Sequence, residues 1–560
     1  MNTDKITARL LAEILRVQGV ETVVFSPGSR SAPLVIAFTA LPAFKCHVIP
    51  DERSAAYFAL GMAQQSGKAV AIICTSGTAV LNFAPALCEA FYQQIPLIAI
   101  TADRPLDMQN KGENQTINQV EIYKNYTKDF LQLPLEIATQ KSFLQTIENI
   151  SNIVKLATVL PQGPVHINVP FAEPLYEFTT KQLPPFTIHQ TKNEVKNLSE
   201  AEKIILHTAE KMDKIMLVAG IQKPSIALQH LLQKINQNSN IVFAPEVTAN
   251  FKTDAVLLRM DASIANVKAT EFAAFSPDLI ITFGKQIVSK RLRTFISKNK
   301  NCIHWHVSES GNEWTIFDRE TTIFKVSEEV FFAAFATLNF QRTTYEKDWL
   351  EKQKAVEELT AEIVDFAPHS DLKVYDFLWK NIPAKAMLQW GNSSAIRYAN
   401  LLHTKNENIH FSNRGTSGID GSLSTAIGAA QLVGELTFCV LGDISFLYDS
   451  NALWNEYIHG NIRIIIVNNS GGNIFRWIPG PKKVNNFEKY FETKHSHNAE
   501  ILAEMYGLDY FYCQKFDELA AVWPHFISNK NKKAKIMEVQ TDGELSETVL
   551  KKYFTALEKI

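Results

Sequence analysis

The hydrophobic residues of the chain alternate between a helical spacing and short unbroken runs. Residues 6–18 carry apolar side chains at helical spacing, which predicts a helix with one buried face. Unbroken apolar runs follow at 22–25, 69–74 and 97–101, and each predicts a strand. A strand that is apolar at every position is buried on both faces, which is typical of a parallel sheet covered by helices. A further strand is predicted within residues 163–170.

The same alternation returns twice farther along the chain. Apolar runs predict strands in a second region at 215–219, 241–244, 279–283 and 303–307, and in a third at 386–389, 437–441 and 462–467. Residues 177–197 are polar and contain Pro184-Pro185, so we predict a linker there. We therefore predict an α/β protein with three parallel-sheet domains, at residues 1–176, 198–345 and 346–560.

Composition and charge narrow the class of protein. The 560 residues are 46% hydrophobic and 20% charged, which are values of a globular chain. The net charge of −2 argues against a protein that binds nucleic acid along its whole surface. The most apolar stretch, 69–88, is interrupted by four small polar residues or glycine at 75–78, and the first 15 residues lack the apolar centre of a signal peptide. We expect a cytoplasmic enzyme that does not insert into membranes.

Glycine is scarce and unevenly placed. Of the 23 glycines, eleven lie between Gly391 and Gly480, and only three lie between residues 164 and 390. Glycine lets the backbone adopt left-handed turns and approach a ligand closely, so this concentration predicts loops of special geometry in the third domain. The six cysteines are scattered and form no CxxC motif, so we predict neither a disulfide framework nor a cysteine–zinc site.

Polar loops follow two strands predicted in the third domain. Gly442-Asp443 comes directly after the strand 437–441, and Asn468-Asn469-Ser470-Gly471 follows the strand 462–467. The carboxyl ends of parallel strands share one edge of the sheet, where ligands bind in open α/β sheets. A carboxylate, an amide oxygen and a backbone carbonyl are hard donors that suit Mg²⁺, and the same donors accept Mn²⁺. The sequence therefore predicts a divalent metal site at this edge.

A Gly-Asp dipeptide followed about 25 residues later by Asn-Asn resembles the diphosphate-binding motif of thiamine diphosphate enzymes. The resemblance implies that Asp443, the Asn469 side chain and the Gly471 carbonyl hold the metal, which in turn holds the diphosphate of the cofactor. Ile444 stands where that family has a glycine, which leaves the metal-binding aspartate unchanged. The resemblance further implies that Ile419 lies beneath the cofactor.

A carboxylate in the first domain completes the cofactor site that the resemblance implies. Thiamine enzymes need an acidic side chain at N1′ of the aminopyrimidine for acid–base work, while the cofactor supplies the carbanion chemistry. The resemblance assigns this role to Glu52, within Asp51-Glu52-Arg53. In the architecture of the family, the first domain of one subunit faces the third domain of another. The resemblance therefore implies a homodimer or homotetramer with the active site across subunits.

A longer series of motifs resembles a narrower family. In chain order the motifs occupy residues 26–33, 51–53, 75–79, 101–105, 112–115, 171–175, 289–291, 391–394, 412–421 and 471–475. They resemble the 2-succinyl-5-enolpyruvyl-6-hydroxy-3-cyclohexene-1-carboxylate (SEPHCHC) synthases of menaquinone biosynthesis. That resemblance implies decarboxylation of 2-oxoglutarate and 1,4-addition of the resulting carbanion to isochorismate.

The resemblance also assigns residues to each role. For substrate binding it implies Ser29, Arg30, Arg104, Asn114, Gln115, Lys290, Arg291, Ser393, Arg397 and Arg414. For cofactor binding it implies Ser29, Glu52, Thr78, Ile419, Gly442, Asp443, Ser445, Asn469, Gly471 and Ile474. Gln115 and Ser393 join Glu52 as catalytic candidates, for positioning or proton transfer. Both substrates are polyanions, and the arginine fork binds carboxylates in a bidentate manner, which agrees with a cationic set.

Some features remain open at the level of the sequence. Histidines 410, 459, 495 and 497 lie outside the motifs, and we expect structural or surface roles for them. An alternative function is that of another thiamine diphosphate 2-oxoacid decarboxylase or of an enzyme like acetohydroxyacid synthase, which predicts an apolar acceptor pocket. A nucleotide-binding regulatory protein is a second alternative, because residues 61–69 resemble a phosphate loop with one residue too many between its glycines.

Overall fold

The computed structural model describes residues 1–109, 111–188, 196–252, 254, 256–311 and 317–560. Part of the predicted linker 177–197 lies outside the described residues. Contacts group the chain into two compact units. The first unit comprises Met1–Glu194, Asn413–Gly434 and Tyr448–Ile462, and the second comprises Val195–Ser412, Glu435–Leu447 and Arg463–Ile560. Three sheets supply the framework of these units, one in the first and two in the second.

The first sheet has six parallel strands. Their order across the sheet is Lys45–Val48, Thr22–Phe25, Val70–Cys74, Leu97–Asp103, Val165–Pro170 and Phe130–Gln132. The helices of this region are Ile6–Val17, Ala32–Thr39, Glu52–Ser66, Thr78–Asn82, Ala84–Gln93 and Gln140–Thr158. Every residue of the strands Val70–Cys74 and Leu97–Asp103 is buried, as their unbroken apolar runs predicted. A two-stranded antiparallel pair, Asn2–Thr3 with Phe178–Thr179, lies apart from this sheet.

Two glycines bring the helices Glu52–Ser66 and Ser422–Ala430 of the first unit into close contact. A Cβ atom on Gly61 would lie 2.1 Å from the Thr425 carbonyl oxygen, and one on Gly428 would lie 2.0 Å from the Phe58 carbonyl oxygen. Only glycine permits backbones to approach so closely. The helix that contains Gly61 precedes the strand at 70–74, whereas a phosphate loop connects a strand to a helix, so the phosphate-loop interpretation of residues 61–69 is wrong.

The second sheet has five parallel strands. Their order is Ile241–Pro245, Ile215–Ala219, Leu279–Phe283, Ile303–Val307 and Thr321–Phe324. The helices here are Glu200–His207, Ile226–Ile235, Met260–Ala265, Phe272–Phe275, Lys290–Lys298, Glu328–Phe335 and Tyr345–Phe366. The sequence predicted four of these strands. It missed Thr321–Phe324, because that edge strand is only partly buried and has no long apolar run.

The third sheet has six strands and the same connectivity as the first. Its order is Ile409–Ser412, Met387–Trp390, Thr437–Gly442, Ile462–Asn468, Lys535–Gln540 and Asp509–Cys513. The helices of this region are Asp371–Asn381, Ser394–Leu401, Asp443–Tyr448, Ile474–Trp477, Glu500–Met505, Phe516–Ile527 and Gly543–Leu557. The predicted fold class, three parallel-sheet α/β regions, is confirmed. The domain boundaries at 176, 198 and 346 stay predictions.

The two six-stranded sheets each contain a point where the strand order reverses direction. In the first sheet this point lies between Thr22–Phe25 and Val70–Cys74, and in the third between Met387–Trp390 and Thr437–Gly442. Ligands of open α/β sheets bind beyond the carboxyl ends of the strands at such points. The chain therefore presents two edges where binding loops are expected. Among the helices of the described residues, none combines the length and apolar character needed to cross a membrane.

Candidate active site

The carboxylate of Asp443 lies at the reversal point of the third sheet, directly after the strand Thr437–Gly442. Its Oδ2 accepts a hydrogen bond of 2.8 Å from the backbone N–H of Gly471, and its Oδ1 accepts one of 2.9 Å from Ile444. Only 4% of the surface of Asp443 is exposed. These bonds bring the Gly-Asp and Asn-Asn loops together, as the shared sheet edge predicted.

The amide of Asn469 is oriented by a buried aspartate that the sequence analysis missed. Its Nδ2 donates to Oδ2 of Asp371 at 3.0 Å, while Asp371 Oδ1 accepts from Thr541 Oγ1 at 2.6 Å and Ser546 Oγ at 3.1 Å. Burial raises the pKa of Asp371, and these hydrogen bonds oppose that rise. Asn469 Oδ1 is buried and has no hydrogen-bond partner among the described residues. Its position therefore suits an oxygen ligand of a cation.

Gly471 occupies a position that no other residue type fits. Its φ is +154°, and a Cβ atom there would lie 2.6 Å from the Glu492 carbonyl oxygen. The Gly471 carbonyl accepts from the Asn473 N–H at 3.0 Å, and its second lone pair remains for a further partner. Within the described part of the chain, no group of three or more His, Cys, Asp or Glu side chains forms a metal site. The predicted donors are of another type, one carboxylate with an amide and a carbonyl oxygen.

The remaining cofactor candidates of this region lie close by in sequence. Gly442 ends its strand, and a Cβ atom there would meet nothing within 4 Å. Ser445 is buried on the helix Asp443–Tyr448. His495 was expected to have a structural or surface role, yet its Nε2 lies 3.1 Å from Asp443 Oδ2 with 10% of the side chain exposed. Asp443 raises the pKa of His495 above its ordinary value. This proximity arises from the return of the chain after residue 471, which the sequence does not reveal.

Glu52 is the first residue of the helix Glu52–Ser66 in the first unit. Asp51 caps this helix, since its carboxylate accepts a hydrogen bond of 2.8 Å from the Ser54 N–H. Glu52 is half-buried, and this burial raises the pKa of its carboxyl group. A carboxyl group with a raised pKa is suited to acid–base work near neutral pH. The position agrees with the predicted catalytic role, which stays a prediction.

Two of the predicted substrate arginines lie near one another at the first sheet's carboxyl edge. Arg30 donates from Nη1 to the Phe171 carbonyl at 3.0 Å and from Nη2 to Glu173 Oε1 at 3.2 Å. Burial, and next the charge of Arg104, lowers the pKa of Arg30. Arg104 donates from Nε to the Asn114 carbonyl at 2.9 Å. Two guanidinium groups close enough to repel each other are stabilised by an anion between or beside them.

The loop that carries Gln115 is fixed against the loop after the strand Val70–Cys74. Ser76 Oγ donates to the Gln115 carbonyl at 2.9 Å, and Gln119 Oε1 accepts from the Gly77 N–H at 3.0 Å. Gln115 has a φ of +52°, a left-handed conformation that costs free energy in a residue other than glycine. Its side chain is exposed, as are those of Ser29, Thr78 and Asn114. These exposed polar groups are available to a ligand.

A second unpredicted carboxylate holds the loop that contains Arg414 and Ile419. Glu89 is 1% exposed, and its carboxylate accepts hydrogen bonds from the Gly415 N–H at 2.6 Å and the Thr416 N–H at 2.7 Å. The Thr416 hydroxyl donates to the same carboxylate at 2.8 Å. Arg414 and Ile419 are both half-buried. The contact spans more than 300 positions of sequence, so no local pattern indicates it.

We expect Glu89→Gln to loosen this loop. A glutamine amide has one acceptor oxygen, so a backbone N–H that Glu89 now satisfies would lose its acceptor, at a cost of about 1–3 kcal/mol. Thermal unfolding should show the loss of stability, and KM should rise because Arg414 is positioned less well. Glu136→Gln, at an exposed residue of the same unit outside the motifs, serves as the control and should change neither. An unchanged melting temperature for Glu89→Gln would contradict this assignment.

The predicted cations of the second unit line one cavity of about 370 Å³. Lys290, Arg291 and Arg397 lie on its wall together with Asp261 and Ile474. Burial lowers the pKa of Arg397, and the charge of Asp261 opposes this effect. The Arg397 Nε atom is buried and makes no hydrogen bond with any residue that the structure describes. The cavity therefore combines an excess of positive charge, three cations against the Asp261 carboxylate, with an apolar wall to which Trp477, Leu550 and Phe554 also contribute.

The loops beside this cavity are held in unusual geometry. Ser289 Oγ donates a hydrogen bond to Asp261, and Glu246 accepts one from the Ser289 N–H at 2.8 Å, which fixes the start of the helix Lys290–Lys298. Ser393 precedes the helix Ser394–Leu401 with a φ of +68°. A serine held in the left-handed region marks a position where the surroundings dictate the backbone. Such positions cluster at functional sites.

Two sequence families match the chain. The N-terminal TPP binding domain of thiamine pyrophosphate enzymes matches residues 6–122, and the C-terminal TPP binding domain of these enzymes matches residues 391–539. The SEPHCHC synthases of Flavobacterium psychrophilum and Flavobacterium johnsoniae are 40% and 38% identical, each over 98% of this chain and 98% of the relative. The chain belongs to the SEPHCHC synthase family. The synthase of Porphyromonas gingivalis is 35% identical over 99% of this chain and 97% of its own length.

Membership of the SEPHCHC synthase family confirms the predicted resemblance. The chain is a thiamine diphosphate enzyme of the transferase class. A solved structure, benzoylformate decarboxylase from Polynucleobacter necessarius, matches with a TM-score of 0.71 over 97% of this chain and 99% of that chain. At 16% identity this likeness shows the shared fold alone. Because the chain belongs to this enzyme family, the alternative of a nucleotide-binding regulatory protein is excluded.

Proposed function

We propose that the chain decarboxylates 2-oxoglutarate and adds the resulting four-carbon unit to isochorismate in a 1,4-addition, with formation of SEPHCHC and CO₂ in menaquinone biosynthesis. The observation that carries this proposal is the full-length similarity to synthases of that name, at 33–40% identity. Both substrates carry two carboxylates. Two separate groups of cationic residues, one in each unit, support a reaction between such anions.

Thiamine diphosphate fits the polar groups of the third sheet through a divalent cation. Asn469 Oδ1 is a buried acceptor with no partner among the described residues, and Asp443 contributes a carboxylate beside it in the same pair of loops. Together with the Gly471 carbonyl they form a hard oxygen set, which suits Mg²⁺ or Mn²⁺ bound to phosphate oxygens. Asp443, Asn469 and Gly471 would hold the metal. When bound, the cofactor supplies the carbanion chemistry that side chains lack.

Residues of the first unit would bind substrate and hold or transfer protons. Glu52 would hold a proton at N1′ of the aminopyrimidine, and its raised pKa suits that task. Arg30 and Arg104 would bind a substrate carboxylate, since their mutual repulsion is relieved by an anion. Gln115 would orient the substrate or transfer a proton, and Ser29 and Asn114 would donate hydrogen bonds. Thr78 would contact the cofactor.

The cavity of the second unit would bind a second anionic group. Lys290, Arg291 and Arg397 would bind carboxylates, and the buried Nε of Arg397, which has no hydrogen-bond partner among the described residues, would serve as a donor. The apolar wall, which includes Ile474, would exclude water and strengthen these charge interactions. Ser393, the residue directly before the helix Ser394–Leu401, would position the substrate or transfer a proton. In the first unit, Arg414 would bind substrate and Ile419 would contact the cofactor, both on the loop that Glu89 holds.

The assembly we propose is a homodimer or homotetramer in which Glu52 of one subunit acts with the metal site of another. Light scattering after gel filtration would measure the mass, and a monomer with full turnover would contradict this arrangement. The cytoplasmic localisation expected from the sequence stays a prediction.

The proposed reaction is tested by comparing 2-oxoglutarate with pyruvate as the donor and by adding isochorismate as the acceptor. We expect purified enzyme with thiamine diphosphate and Mg²⁺ to release CO₂ from 2-oxoglutarate and to form SEPHCHC when isochorismate is present. CO₂ release from pyruvate should be at least about tenfold slower, because the loss of one charge-assisted carboxylate contact removes about 1.5–3 kcal/mol. Liquid chromatography with mass spectrometry identifies the product, and chelation of the metal should abolish both signals.

The alternative function, that of a general 2-oxoacid decarboxylase or an enzyme like acetohydroxyacid synthase, predicts a different substrate preference in this assay. It requires an apolar acceptor pocket, whereas three cations line the cavity near Ile474. Turnover of pyruvate at the same rate as 2-oxoglutarate, without any effect of isochorismate, would favour the alternative and contradict the proposed function.

A further inference from the structure

The segment between Gly471 and His495 leaves the metal-binding loop and returns to it. The Gly472 N–H donates to the Glu492 carbonyl at 2.6 Å, and the His495 N–H donates to the Ser470 carbonyl at 3.2 Å. Two backbone hydrogen bonds therefore close the excursion at its base. Consequently His495 is fixed beside Asp443, although the two lie 52 positions apart in the sequence.

The hydrogen bonds around His495 show which of its ring nitrogens is an acceptor. Its Nδ1 accepts a hydrogen bond of 3.1 Å from the His497 N–H, and the His497 carbonyl accepts one of 3.0 Å from Asn468 Nδ2. When Nδ1 of an imidazole is an acceptor, the N–H of the ring is on Nε2. His495 therefore presents an N–H donor on the side that faces the metal-binding loops.

The Nε2 donor of His495 has no acceptor in the structure as described. It lies 3.1 Å from Asp443 Oδ2, but Nε2 is buried, and no described residue, Asp443 included, accepts a hydrogen bond from it. The side chain is only 10% exposed, so water reaches it poorly. A buried donor without an acceptor costs free energy, which an incoming acceptor recovers.

We propose that His495 is a further binding residue of the metal–diphosphate site, and that its Nε2–H donates a hydrogen bond to a phosphate oxygen of the cofactor. This inference rests on the proposed binding of thiamine diphosphate through Asp443, Asn469 and Gly471. Direct ligation of the metal by Nε2 would require the proton to move to Nδ1, and the bond from His497 would then be lost. A hydrogen bond from Nε2–H to an anionic ligand needs no such rearrangement.

The test compares two probes on variants of the full chain. Calorimetry measures the affinity for thiamine diphosphate and for inorganic diphosphate, both at saturating Mg²⁺. Paramagnetic resonance separately measures Mn²⁺ affinity without any diphosphate. His495→Gln keeps an N–H donor at similar reach, His495→Leu removes the donor at similar volume, and His495→Asn is too short to reach. His497→Ala is the matched control, because its exposed ring is removed while its backbone N–H remains.

We expect His495→Leu and His495→Asn to weaken both diphosphate probes about 10–100-fold, as outer partners of metal sites do. His495→Gln should stay within about threefold of the unaltered chain, His497→Ala should be unchanged, and Mn²⁺ affinity without diphosphate should be the same in all. If His495→Asn bound diphosphate as tightly as the unaltered chain, the proposed role of His495 would be overturned. The same would follow if the variant lost as much affinity for Mn²⁺ without diphosphate as for diphosphate. Neither outcome would affect the proposed function. Failure of the unaltered chain to bind thiamine diphosphate with Mg²⁺ would overturn the proposed function as well.

Discussion

We expect Glu52→Gln to bind thiamine diphosphate with Mg²⁺ normally and to lose about 10²–10⁴ of kcat. The substitution keeps the size of the side chain and its place at the start of the helix Glu52–Ser66. It removes the ability to gain and lose a proton, which is the function that the raised pKa of this carboxyl group suits. Binding should survive because no other residue of the described chain depends on a Glu52 side-chain hydrogen bond.

Two measurements separate the proton-transfer role of Glu52 from a structural one. Exchange of the C2 proton of bound thiamine diphosphate, followed by nuclear magnetic resonance, should slow in Glu52→Gln in parallel with kcat. Asp51→Asn is the control, since it removes the charge of the adjacent carboxylate while an asparagine still caps the helix, so stability and turnover should both change little. A Glu52→Gln enzyme that exchanges and turns over like the unaltered enzyme would show that another group activates the cofactor.

The fold was predictable from the sequence because strands buried on both faces leave an unmistakable apolar run. The strands Val70–Cys74 and Ile215–Ala219 are buried at every position, and the runs at 69–74 and 215–219 predicted them. The same logic failed for Thr321–Phe324, an edge strand in which two threonines and partial exposure remove the signal. Hydrophobic patterning therefore identifies central strands better than edge strands.

Site residues were predictable where a residue of the right chemical type lies in a short motif directly after a strand. Asp443 and Gly471 follow directly from strands, and the hydrogen bond between them at 2.8 Å agrees with the predicted meeting of their loops. The partners that orient the site were not predictable. Asp371 lies 98 positions from Asn469, and Glu89 lies 326 positions from Gly415, so only the folded chain brings them together.

Backbone conformation was also hidden from the sequence. Gln115, Ser393, Ser417 and Ser470 all adopt left-handed φ values between 52° and 68° within loops that the motifs identified. The glycine count had predicted special geometry in the third domain, and Gly471 fulfils that expectation. Serine in the same region has no compositional signal, because its strain is imposed by surrounding hydrogen bonds.

We expect Asp443→Asn to weaken the binding of the divalent metal, and with it of thiamine diphosphate, by more than about 100-fold. The change removes the only carboxylate of the proposed donor set, and charge–charge attraction supplies much of the affinity of hard cations. A second effect acts in the same direction. Asp443 now accepts from the N–H groups of Gly471 and Ile444, whereas asparagine has one oxygen, so one of these donors would face an amide N–H₂ and the loop would shift.

Metal titration distinguishes lost affinity from a broken site in Asp443→Asn. If affinity is the cause, raising Mg²⁺ or Mn²⁺ into the range of the weakened Kd restores cofactor binding and part of the turnover by mass action. Asp420→Asn is a suitable control, because Asp420 accepts a hydrogen bond from Tyr57 at 3.1 Å and is not among the proposed metal ligands. Its metal affinity should equal that of the unaltered enzyme. Unchanged metal affinity in Asp443→Asn would place the metal on other groups and contradict the assignment of Asp443, Asn469 and Gly471.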